Sequence, residues 1–217
     1  MALLSRRAAL TLVGGATCVA LTSRLSAADS SFWNKKPPPD WTPEEIARLL
    51  NESPWAKEVT PTYTILPPPT DQRPWGETPP IRGGPVPQHQ RTIKAPYRAI
   101  IRWESAEPIR TAQKVTLPAV FSDLHVLAVL FPSDARRDLG SKPIENLKES
   151  AILFGARPVT AEIVQPYPGV AKGFLVGFSK TSTNRTQQWE FSASIGLLAL
   201  RAKFNSRDMV YRGKPAL

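Results

Sequence analysis

Cysteine occurs once in the 217 residues, at Cys18, and histidine only twice, at His89 and His125. A lone thiol excludes intramolecular disulfides and multi-thiolate zinc sites. No apolar stretch reaches the roughly 20 residues that a helix needs to cross ~30 Å of hydrocarbon, so no transmembrane span is expected. The basic residues are scattered, with no run of about five or six, and this leaves no specific nucleic-acid signal. No G-x-S-x-G element marks a nucleophile, and no third ligand of known spacing accompanies the histidines. The sequence therefore calls for no cofactor and no metal.

What is present begins with an address. Arg6 and Arg7 precede an apolar stretch from Ala8 to Thr22, and Ser26, Ala27 and Ala28 form a small-residue exit. This order predicts a bacterial export signal over residues 1–28, cleaved after Ala28. Ser5-Arg6-Arg7 followed by Leu10 also resembles a twin-arginine signal, with Ala9 where a large apolar residue is usual; the general secretory route stays open beside it. Lipid attachment at Cys18 is a third possibility, against which stand Gly15 three positions earlier and Thr17 next to the thiol. Cleavage leaves 189 residues without cysteine, and the formal charge of +10 falls by Arg6, Arg7 and Arg24 to +7. A basic protein of that charge suits anionic partners such as an anionic envelope polymer, although charge also serves solubility.

The rest divides by composition. Residues 29–40 read as a flexible polar lead-in ending in Pro37-Pro38-Pro39. Residues 41–59 read as a short helical segment: Thr42 caps, Pro43 takes the first helical position, Glu45 completes a capping box, and Trp41 faces Ile46 as a hydrophobic staple. Between Pro61 and Pro96 stand ten prolines, so 60–91 reads as an irregular excursion with a short strand near Thr62 to Leu66. Residues 92–217 carry a β-rich core, forming one domain with 41–59. Tyr97, Ala99, Ile101 and Trp103 alternate with polar neighbours, Val126 to Phe131 reads as a central strand, and Ile144 to Glu149 as a helical turn or two. Ser105 is a candidate cap for a helix through about Lys114. Strands are expected at Ala151 to Phe154, Gly173 to Ser179, Gln188 to Ile195 and Leu197 to Phe204, the last two joined by a tight hairpin connection at Ser194-Ile195-Gly196. The fold class is α+β: an antiparallel sheet or β-sandwich with a few short helices and a proline-rich irregular segment.

Three stretches carry a likeness. Phe32-Trp33 with Lys35-Lys36, Trp41, Glu44-Glu45 and Ser53-Pro54-Trp55-Ala56-Lys57 form the first, and Arg102-Trp103-Glu104-Ser105-Ala106 with Pro108-Ile109-Arg110 the second. Lys203-Phe204 and Asp208-Met209-Val210-Tyr211-Arg212-Gly213-Lys214 form the third. Together they resemble a family of exported bacterial proteins of unknown function, with the proline-rich segment as the divergent part. The resemblance implies export and a single domain, and it brings no activity or catalytic residue.

Arg98, Arg102 and Arg110 are the candidate binding residues. The first two fall on one strand face about 13 Å apart, and Arg110 follows on the next helix. Guanidinium groups so placed would fork onto carboxylate or phosphate, unless they pair with Glu104 and Glu107 on a solvated face. Trp33, Trp41 and Trp55 would stack on sugar rings or, at helix starts, staple helices to the core. Asp123 and His125 would share a strand face as a minimal metal or acid/base pair. His89 reads as solvated, Glu162 and Glu190 as an acid pair only if the fold joins them, and Asn184-Arg185-Thr186 as an accidental glycosylation pattern in an exported bacterial protein. Two functions are expected from this reading. The favoured one is a non-catalytic binding or scaffolding protein of the cell envelope, with an anionic polymer or another envelope protein as partner. The alternative is a hydrolase acting on an envelope polymer.

Overall fold

Alternation of apolar and polar side chains builds two five-stranded antiparallel sheets from this chain. The computed structural model describes residues 31–64, 93–168, 172–180 and 188–217. The expected signal with Cys18, residues 65–92 of the proline-rich segment with His89, and Asn184-Arg185-Thr186 lie outside the described residues.

The first sheet runs in the order β1 (Ala56–Val59), β3 (Ala99–Trp103), β4 (Leu124–Phe131), β8 (Lys172–Ser179) and β7 (Ile163–Pro166). The second runs β2 (Thr62–Tyr63), β10 (Leu198–Asn205), β9 (Gln188–Ile195), β5 (Ile152–Phe154) and β6 (Pro158–Thr160). A small hairpin, β11 (Val210–Tyr211) with β12 (Lys214–Pro215), closes the chain's last turn. The inner faces of the two large sheets meet. Trp103 of β3 makes edge contacts with Trp189 of β9 and Phe204 of β10 at centroid separations of 5.7 and 5.9 Å, and Phe178 of β8 does so with Phe191 of β9 at 6.2 Å. The fold is thus α+β, a sandwich with four short α-helices among the described residues: α1 (Phe32–Lys35), α2 (Pro43–Asn51), α3 (Glu107–Gln113) and α4 (Pro143–Ser150). No helix among the described residues is long and apolar enough to cross a membrane.

Local chemistry accounts for the elements that sequence patterning located. The capping box of α2 is formed: the Glu45 amide donates to Thr42 Oγ1 at 3.2 Å, and the Thr42 amide donates to Glu45 Oε2 at 3.0 Å. Lys36 Nζ also donates to Glu45 at 2.6 Å, and this bond holds the Glu45 carboxyl below its ordinary pKa. Gly196 takes φ +56° at the first central position of the β9–β10 turn, as a type II′ hairpin requires. A Cβ there would also collide with the carbonyl oxygen of Asp138.

Other segments differ from expectation for reasons of packing. The lead-in is anchored: Phe32 and Trp33 are buried, Phe32 stacks edge-on to Trp41 at 5.6 Å, and Asn34 bonds both the Val210 carbonyl and the Arg212 amide. Residues 56–59 form an edge strand paired with β3 rather than helix, because burial of Trp55 turns the chain along the sheet. Ser105 caps nothing; its Oγ accepts from the Val126 amide at 3.1 Å, and Ala106 precedes the helix. Finally, the entrance and exit of the proline-rich stretch are tied together. Thr62 bridges Lys94, the Tyr63 amide donates to the Ile93 carbonyl, and the Tyr63 and Tyr97 hydroxyls both donate to Asp138 Oδ2, at 2.9 and 2.6 Å.

Candidate functional site

The three candidate arginines are not brought together. Arg98 and Arg102 line one groove of about 480 Å³ with Ile100, Leu130 and Tyr167, whereas Arg110 lines a separate cleft. Arg98 is exposed and pairs with Glu58 at 2.6 Å. Arg102 is only 4 % exposed, on the face of the first sheet opposite the sandwich core. Its Nε donates to Glu104 Oε2 at 2.9 Å, its Nη1 to the Leu50 carbonyl at 3.3 Å and its Nη2 to the Tyr167 hydroxyl at 2.9 Å. That hydroxyl in turn accepts from Gln113 and donates to Glu104 Oε1, at 3.0 Å each. Burial raises the Tyr167 pKa, and the Glu104 charge adds to this. The network satisfies its own members, so Arg102 clamps α2, α3 and the segment after β7 onto the sheet and offers no free fork to a ligand.

The larger cleft, about 800 Å³, lies where α3, the start of β4 and the end of β8 converge. Sequence places each wall. Lys114 ends α3 at φ 55° and turns the chain outward. Pro118 then begins a 3-10 turn over Ala119–Phe121, which lays Phe121 and Leu124 on the outer face of the first sheet beside Val126, Ala128 and Leu175. β8 accommodates this through Gly177, where a Cβ would lie 2.7 Å from Leu124 and 3.0 Å from Phe121. Arg110, on the last turn of α3, and Lys180, just past β8, are exposed cations of the cleft. Neither has an ion-pair partner among the described residues; Lys180 Nζ donates to the Ser122 carbonyl at 3.3 Å. Glu107 is the one acidic side chain among the lining residues.

His125 also lines this cleft. The parity of β4 turns it to the inner face, where it is 2 % exposed and meets Trp103 and Trp189 edge-on at 5.4 and 5.6 Å. Burial lowers its pKa to about 4, with the Lys180 charge contributing, so the imidazole is neutral at pH 7. Its Nε2 has no hydrogen-bond partner among the described residues. Asp123 precedes the strand and is exposed; it is not on the imidazole's face and does not line the cleft.

The remaining candidates fall elsewhere. Glu162 accepts a bond from Ser179 at the end of the first sheet, and Glu190, on the second, pairs with Arg201 and Lys203 at 3.1 and 3.4 Å. They form no acid pair. Trp33, Trp41 and Trp55 are buried and staple the N-terminal helices to the sandwich. No group of three or more His, Cys, Asp or Glu residues among those described is placed to hold a metal ion.

No protein-family model, no functionally described protein and no solved structure matches the chain. Its chemistry is therefore read from the cleft. Sequence reasoning found Arg110 but missed Lys180, whose signal was position: a cation directly after an eight-residue apolar strand emerges at the sandwich rim. The cleft itself had no sequence signal, because its walls come from four separated stretches.

Proposed function

We propose that this is an exported, non-catalytic binding protein of the bacterial cell envelope that takes an anionic partner at the cleft. The binding role rests on one observation: Arg110 and Lys180 line one cleft, both exposed, without ion-pair partners among the described residues. A cation at a cleft rim without an ion-pair partner among the described residues is available to a phosphate or carboxylate. The export reading is supported by the order of Arg6-Arg7, the apolar stretch and Ala27-Ala28, and by the likeness to exported proteins. The arginine role foreseen for Arg98 and Arg102 passes to Arg110 with Lys180, since the Arg102 donors are occupied internally.

Two measurements test this reading. Fractionation of the producing bacterium, with N-terminal sequencing, should find the protein outside the cytoplasm and beginning near Asp29; a cytoplasmic, unprocessed chain would end the export proposal. The purified protein should be retained on anionic cell-wall polymer. Arg110→Gln with Lys180→Gln should lower that retention roughly tenfold or more at low salt, since each lost charge-assisted bond is worth about 1.5–3 kcal/mol. Unchanged retention would remove the cleft from the binding role.

A further inference from the structure

The proposed function requires only an anion, whereas the cleft presents a second, apolar surface continuous with its cations. Val115, Leu117, Pro118, Phe121 and Leu124 line it along one stretch of chain. Phe121 and Leu124 are buried where they join Val126, Ala128 and Leu175 beneath, but Val115 is 43 % exposed and the neighbouring Val120 is 52 % exposed. Two of the five exposed large apolar side chains among the described residues thus stand in the stretch that walls the cleft. Apolar side chains beside cations in one cleft allow a single ligand to be held by both kinds of contact. The volume, about 800 Å³, lies within the range of small-molecule sites, about 300–1,000 Å³.

Resting on the binding reading above, we infer that the cleft takes an anionic amphiphile: a molecule with one phosphate or carboxylate head and an unbranched apolar tail. The head sits on Arg110 and Lys180, and the tail runs along Val115 and Leu117 toward Phe121 and Leu124. His125 lines the cleft as a buried imidazole, so the cations that meet the head are Arg110 and Lys180. Arg110 and Lys180, both exposed and without ion-pair partners among the described residues, favour an anionic head over a neutral or cationic one. A free amphiphile and a lipid within a bilayer share this chemistry, and the test separates them.

The full-length protein is titrated by calorimetry with decyl phosphate below its micelle concentration, with 1-decanol, and with inorganic phosphate. Decyl phosphate is expected to bind at least roughly tenfold more tightly than either of the others, because each lacks one of the two contacts. Arg110→Gln with Lys180→Gln should reduce decyl phosphate to the level of decanol. Val115→Asn should weaken decyl phosphate severalfold and leave inorganic phosphate unchanged. These side chains are exposed, and melting curves matching the wild type verify that the variants fold.

Inorganic phosphate binding as tightly as decyl phosphate would overturn the amphiphile and leave a simple anion site. Capture by phosphatidylglycerol vesicles that decyl phosphate does not relieve would overturn it in favour of a membrane-surface contact. If decyl phosphate fails to bind, the inference falls, and retention on wall polymer then decides separately whether the binding reading survives.

Discussion

Glu104→Ala is expected to destabilise the protein by about 3–5 kcal/mol, the range for removing one partner of a buried ion pair. Glu104 is 2 % exposed and holds both the Arg102 guanidinium and the Tyr167 hydroxyl. Without it the guanidinium remains buried under α2 and α3 with no compensating charge, and the Tyr167 hydroxyl loses its acceptor. The paired replacement Arg102→Met with Glu104→Leu should cost much less, since taking out both charges together removes the desolvation penalty along with the attraction. Urea unfolding of the two variants decides the matter. A single variant within about 1 kcal/mol of wild type would mean that the pair is solvated in solution, and would return Arg102 to the list of groups a ligand can reach.

Acidification supplies the second large effect. His125 has its pKa lowered to about 4 in the folded chain, against about 6.5 when unfolded. Above pH 6.5 both states hold a neutral imidazole and the stability contribution is complete. As pH falls below 6.5 the unfolded chain takes up a proton that the folded chain refuses, and stability drops until the folded pKa near 4 is passed. The shift corresponds to a loss of about 3 kcal/mol across that window. Carboxylates in general begin to take up protons toward the lower end of this range, so the measurement is a difference. Wild type and His125→Phe are unfolded in urea at pH 7, 5.5 and 4.5, and the wild type should lose stability more steeply. Parallel slopes would show that water reaches the imidazole in the folded state. Lys180→Gln should soften the wild-type slope slightly, because part of the shift is its charge.

Much of the fold could be read from neighbouring residues. The α2 capping box, β4 and the β9–β10 hairpin depend on spacings of two to four residues, and those spacings are visible in a string of letters. The assignment of strands to sheets is not local. β2 is two residues long and joins β10 more than a hundred positions later, and β1 reads like the tail of a helix until β3 is there to pair with it. Burial of Arg102 follows the same rule. Period-two alternation placed it opposite Ala99, Ile101 and Trp103, on a face expected to meet solvent, but its cover comes from Leu50 and Tyr167, 52 and 65 positions away. With Asp123 and His125 the error was one of boundary. β4 begins at Leu124, so only the histidine obeys the strand's alternation and enters the core. The candidate site was half legible for related reasons: Arg110 stood out as a cation beside a patterned strand, whereas Lys180 acquires meaning only when the end of β8 and the end of α3 meet.

The tyrosine pair at Asp138 has a bearing on how this protein can vary. Tyr63 and Tyr97 deliver the chain to a single carboxylate oxygen on either side of the proline-rich stretch, and Thr62 with Lys94 closes the ladder there. Bonds made by the sandwich hold these two ends together, and loop-closure cost grows only slowly with length. A change in the number of residues between Tyr63 and Tyr97 is therefore expected to alter the closure cost only slightly. The clamp thus fixes the spacing of the two strands that flank the stretch through bonds made within the described body.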